Sequence, residues 1–183
     1  MKMLRALGAI LLLPICQSAP MPPLAQVDKV DLARFMGDWY VIANIPTFIE
    51  KGAHNAIESY RLDVDGTIAT TFTFRADGFD GRPKRYTPRG YVIDHNSNAV
   101  WGMQFIWPMK SDYRIAYLTA DYSQTVIARS KRDYVWIMAR TPTIPDTDYQ
   151  RLLQFVAEQG YDLSLVRKVP QRWDEPPATV GGR

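Results

Sequence analysis

The side chains that ordinarily carry catalysis are few and scattered. The chain has two histidines, His54 and His95, and one cysteine, Cys16. Nucleophilic or acid–base chemistry needs a nucleophile and a base within hydrogen-bond reach, the base held by a third group. His54 lies beside Gly52 and Asn55, and His95 between Asp94 and Asn96; both settings read as solvent-exposed turns. No ligand spacing suggests a metal site, and no cofactor motif is visible. The expectation is a protein that is not an enzyme. The alternative, catalysis through the two histidines, predicts that turnover of some substrate disappears when both are replaced.

Three further features have chemistry of other kinds. Glu58 alternates with Ala56, Tyr60 and Leu62 on one strand face. A carboxylate pointing inward is costly unless it is paired, so it meets an inward tyrosine, holds a ligand headgroup, or marks a misassigned face. Arg82, Lys84, Arg85 and Arg89 form a basic cluster, read as a solvated loop or strand edge against a lipid-headgroup or nucleic-acid patch. No basic stripe suits a phosphate backbone, and no nucleic-acid partner is expected. Cys16 follows an apolar run and is a candidate for lipidation.

The most abundant resource is apolar and aromatic surface. The chain of 183 residues has five Trp, ten Tyr and seven Phe, more suited to strands and binding surfaces than to a helical bundle. These side chains fall on runs with period two, bounded by turn residues. The runs are 39–45, 56–62, 68–75, 86–93, 100–107, 113–119, 125–128 and 134–139. Eight strands joined mostly by short turns predict an all-β, antiparallel up-and-down barrel. The period then becomes helical at Tyr149, Leu152, Leu153 and Val156. One C-terminal helix should follow, capped by Asp146 or Thr147, ended by Gly160 and packed on the outside. Residues 163–169 can add an edge strand.

Alternation assigns the inward faces. Tyr60 comes from the second strand, Phe72 and Phe74 from the third, and Trp101, Met103 and Phe105 from the fifth. Tyr113, Ile115 and Tyr117 come from the sixth, and Tyr134, Trp136 and Met138 from the eighth. Converging, they would form an apolar cup that binds a small hydrophobic ligand. The competing reading is a solid, filled barrel with a structural or interaction role.

The ends of the chain are different. Residues 1–18 read as a signal peptide, with Lys2 and Arg5 before an apolar stretch too short to span a bilayer. Residues 19–27 read as a Pro-rich linker, 28–173 as the barrel domain and 174–183 as a disordered tail. Export is expected by either route: cleavage before an acylated Cys16, or cleavage near Ser18 or Ala19 that discards it.

Three motifs carry a resemblance to a known family. Gly37-Asp38-Trp39-Tyr40 resembles the lipocalin G-x-W signature. Thr119-Ala120-Asp121-Tyr122 resembles its T-D-Y signature with one inserted residue, and Arg140 matches its third. The segments Glu50-Lys51-Gly52 and 133–142 are similar to the bacterial outer-membrane lipoprotein lipocalins. Pro14 and Ile15 depart from a usual lipidation motif, and Trp107 stands where glycine is more common. The resemblance implies that Trp39 closes the barrel's narrow end with Arg140 over its face. It implies binding, storage or transport of a fatty acid or lysophospholipid in the cell envelope. The location would be the periplasm, with a tether to the outer membrane if Cys16 is acylated. The family includes dimers, so a homodimer is compatible with it.

Overall fold

The computed structural model describes residues 22–173. The signal peptide, Cys16 and the C-terminal tail lie outside the described residues, as does the start of the linker.

The wall is built from β1 (Gly37–Ile45), β2 (Ala53–Leu62), β3 (Thr67–Ala76), β4 (Pro83–Tyr86), β5 (Arg89–Val92), β6 (Val100–Ile106), β7 (Met109–Leu118), β8 (Gln124–Ala128) and β9 (Val135–Ala139). Neighbours in sequence pair antiparallel, and β1 pairs with β9 to close the barrel. The wall has eight positions because β4 and β5 share one: both pair with β3. The sequence had read this position as one strand over 86–93. Pro88 lies between the two strands, where proline offers no N–H to the ladder. Closure through β1 and β9 gives both of those strands a partner on each side over their paired residues.

Four strands carry register shifts, at Val41/Ala43, His54/Ile57, Met103/Ile106 and Ile115/Tyr117. Each bulge moves the following side chains to the other face.

The helix α2 runs Asp146–Glu158, with Pro145 at its N-cap and no side-chain cap bond. The cap expected from sequence, Asp146 or Thr147, therefore lies one or two residues late: both are already helical, and the Asp146 charge suits the helix N-terminus. Gly160 follows with φ 84°, as a helix stop requires. Tyr149, Leu152 and Val156 are buried against Ile42, Ala43, Val126 and Ile137 on the outside of the wall. After α2, β10 (Arg167–Lys168) pairs with β1 at Ala43 and Asn44. Gln171 then donates from Nε2 to the carbonyls of Val41 and Ala56. This segment bridges the seam where β1 and β2 part.

Two apolar clusters result. One fills the outer layer beneath α2; the other lines the barrel and includes Trp39, Tyr60, Phe72, Trp101, Met103 and Tyr113. Residues 22–27, read as a linker, are docked rather than free. Val27 N–H donates to the Ile115 carbonyl (3.1 Å), and Leu24 packs on the outer layer.

Candidate functional site

Strand alternation gives the barrel two unlike ends. The start of β1 and the connections 63–66, 93–99, 119–123 and 140–145 surround one. The connections 46–52, 77–82, 107–108 and 129–134 surround the other.

The first end is sealed. A short helix, α1 (Leu32–Phe35), crosses it, its N–H of Arg34 capped by Asp31. Sequence periodicity missed this element because a single turn is too short to register; Asp31 ahead of an apolar pair was the available signal. The Arg140 guanidinium lies 3.8 Å from the Trp39 ring centroid. It donates to the carbonyls of Arg34, Phe35, Met36 and Asp38 at 2.8–3.0 Å. One side chain thus satisfies the carbonyls that end α1. Trp39 Nε1 also donates to Phe35. Gly37 has φ 94°, and a Cβ there would stand 3.4 Å from Arg140 Nη1. Tyr122 joins through its hydroxyl, which accepts from Asp31 N–H (2.9 Å). Thr119 Oγ1 and Asp121 Oδ1 accept the backbone N–H groups of the 119–124 turn. Hydrogen bonds from the side chains of Thr119 and Ser123, joined by the Ser123 N–H, hold the Asp121 carboxyl down at about 2.

Above the seal stands an aromatic floor. Phe35 packs edge-on to Trp101 (5.5 Å), and Trp101 stacks on Tyr113 (5.2 Å, 9° between planes). This part of the interior is solid. At its top, the Tyr60 hydroxyl meets the Tyr113 hydroxyl at 2.5 Å and donates to the Glu58 carboxylate. The inward carboxylate is thus met by a tyrosine, one of the fates considered above. Burial raises the Glu58 carboxyl to about 7, opposed by the Tyr60 hydrogen bond and assisted by the charge of Glu50. Burial also pushes both tyrosines up.

Toward the other end the lining is Phe72, Phe74, Met103, Trp136 and Tyr86, the last stacked on Phe74 (6.2 Å). Loop 46–52 is tied to the wall by Glu50, whose carboxylate accepts from Trp136 Nε1 (2.9 Å) and from Thr47 N–H (2.8 Å). Burial raises its ionisation point. Asn44, opposite Trp136 across the β1–β9 ladder, is 3% exposed. Its amide makes no hydrogen bond with a described residue.

The sequence-assigned lining divides. Tyr60, Phe72, Phe74, Trp101, Met103, Tyr113, Ile115, Trp136 and Met138 belong to the inner cluster. Three do not. Tyr117 lies outside, 5.2 Å from Phe155 of α2, because the bulge after Ile115 reverses the face. Tyr134 precedes β9 and packs on the outer layer. Phe105 follows the bulge after Met103 and is half exposed. His54 is in β2 rather than a turn, against Phe79, while His95 lies at the opposite, sealed end. The two cannot act together. The lining residues that sequence reasoning missed are Asn44, Glu50 and Tyr86; Glu50 and Asn44 were hidden by bulges and a loop, which alternation does not follow.

A lipocalin-like domain model matches residues 30–171. Temperature-induced lipocalin-1 of Arabidopsis thaliana is 31% identical over 160 residues, 82% of this chain and 84% of that protein. Outer membrane lipoprotein Blc of Escherichia coli K12 is 28% identical over 155 residues, 83% and 86% of the two chains. Among solved structures, insecticyanin of the tobacco hornworm Manduca sexta superposes with a TM-score of 0.64 at 14% identity, covering 88% of this chain and 89% of its own. With its sealed end built from Trp39 and Arg140, the chain belongs to the lipocalin family and is similar to the bacterial outer-membrane lipoprotein lipocalins.

Proposed function

We propose that the barrel binds a single-chain amphiphile, a fatty acid or lysophospholipid, and stores or carries it in the bacterial envelope. Family membership supports binding of a small hydrophobic ligand in general. The observation that carries the finer reading is the gradient along the barrel: solid aromatic packing at the sealed end, then Phe72, Phe74, Met103 and Trp136 interleaved with Asn44 and Glu58. The acyl tail lies along the aromatic lining, gaining about 0.8 kcal/mol per buried methylene. The polar head lies at the open end. There Lys84 pairs with Phe74 across the β3–β4 ladder and so shares its inward face, placing a cation for a carboxylate or phosphate. The Asn44 amide offers a hydrogen bond to the same group.

No step of bond making is assigned; binding and release are passive. The similarity to outer membrane lipoproteins supports export to the periplasm, with an outer-membrane tether if Cys16 is acylated, as radioactive palmitate labelling would show. Native mass spectrometry of protein released gently from cells tests the reading. A retained lipid of one acyl chain, displaced by added lysophospholipid, is the expected result. Protein that emerges empty and takes up neither fatty acid nor lysophospholipid favours a filled structural barrel, a reading to which the packed floor lends weight.

A further inference from the structure

The open end carries large apolar groups in water. Phe48, in loop 46–52, is 83% exposed. Across the mouth, the β6–β7 hairpin presents Trp107 at 82%, with Ile106 and Met109 beside it. Exposed clusters of this kind mark interaction surfaces. Among the described residues, the sealed end exposes Leu62, Val64 and Ile93 but no large aromatic. Cations surround the same mouth: Lys51, Arg82, Arg85 and Lys110 are all exposed. The side chains of Lys51, Arg82 and Arg85 make no ion pair or hydrogen bond with a described residue, and Lys110 rests over the Tyr91 ring (3.6 Å). The one loop carboxylate that could neutralise them from 46–52, Glu50, is turned inward onto Trp136. Of the acids in loop 77–82, Asp80 faces Arg172, which leaves Asp77.

Aromatic tips ringed by Lys and Arg match the chemistry of a lipid–water interface: tryptophan settles at headgroup depth, and cations meet lipid phosphates. A protein partner would need a shaped, continuous face, whereas these tips stand on separate loops on opposite sides of the mouth. We propose that the open rim docks on an anionic bilayer surface. Phe48 and Trp107 enter the headgroup layer, and Lys51, Arg82 and Arg85 contact phosphate. The mouth then faces the acyl chains, so that an amphiphile passes between bilayer and barrel without crossing water. The docking itself does not require an occupied interior. A barrel that takes up neither fatty acid nor lysophospholipid yet binds vesicles would overturn the carrier reading and leave this one standing.

The test is vesicle flotation with the full chain carrying Cys16→Ser, which removes the acylation site. Vesicles are phosphatidylcholine alone or mixed with phosphatidylglycerol, at low and high salt. The protein should float with the anionic vesicles and lose binding in high salt. Arg82→Gln with Arg85→Gln should weaken binding to the anionic vesicles by about fivefold per cation and so reduce the preference for anionic lipid. Phe48→Ser with Trp107→Ser should lower binding to both vesicle types at least tenfold. All four sites are exposed, so circular dichroism should report an unchanged fold. Equal flotation of the parent and both variants would overturn the proposal. So would a parent that ignores vesicles but self-associates through Trp107, as sedimentation of Trp107→Ser would reveal.

Discussion

Replacing Glu58 by Gln isolates a strongly perturbed, buried carboxyl of the barrel interior. Its side chain is buried between the aromatic floor and the ligand-lining residues, and it ionises at about 7 instead of 4.5. The folded chain therefore holds this proton more tightly than the unfolded chain. The associated stability is complete below pH 4.5 and is lost as pH rises through about 7. At 1.36 kcal/mol per pH unit between those values, the loss is about 3 kcal/mol once both states are ionised. Glutamine keeps an oxygen to accept from Tyr60 and has no proton to lose. Urea unfolding followed by tryptophan fluorescence, from pH 4.5 to 8.5, gives the comparison. The variant's stability relative to the parent should climb by about 3 kcal/mol across that range, with most of the climb complete by pH 7. A difference that stays flat, or that grows as pH falls, would refute the burial argument.

Two further outcomes follow from the packing. Arg140→Ala removes the donor to four carbonyls at the sealed end and the contact with Trp39, and should lower the unfolding free energy by about 3 kcal/mol; Arg140→Lys should restore less than half of it, since an ammonium lacks the fork. Leu152→Ala empties a fully buried site beneath α2 and should cost about 3 kcal/mol while leaving ligand affinity within twofold, because the outer layer does not line the interior.

Most of the wall was legible because a strand half-buried against an apolar interior writes its faces into every second residue. Phe72 and Phe74, or Trp101 and Met103, needed no more than that rule. It failed where the backbone inserts a residue. Tyr117 sits two positions after Ile115 yet faces the other way, and nothing in the side chains of 113–119 announces the bulge. Phe105 was lost to the same cause. Pro88 did announce its break, since a proline cannot donate to a ladder, and the reading of one strand over 86–93 passed over it. The sealed end was legible only as a set of motifs. That Arg140, Trp39, Gly37 and Tyr122 all serve a single turn of helix depends on contacts spanning over a hundred residues, which local periodicity does not encode. Asn44 and Glu50 were invisible for a related reason: an isolated polar residue acquires its meaning from the walls around it.

Tryptophan quenching by a fatty acid brominated along its tail tests the central claim most directly. Trp136 lines the upper interior, whereas Trp107 and Trp173 face solvent. Quenching should saturate at one ligand per chain, and Trp136→Phe should remove most of it while Trp107→Phe removes little. Absence of saturable quenching, or quenching that survives Trp136→Phe and disappears with Trp107→Phe, would place the ligand outside the barrel and contradict the account.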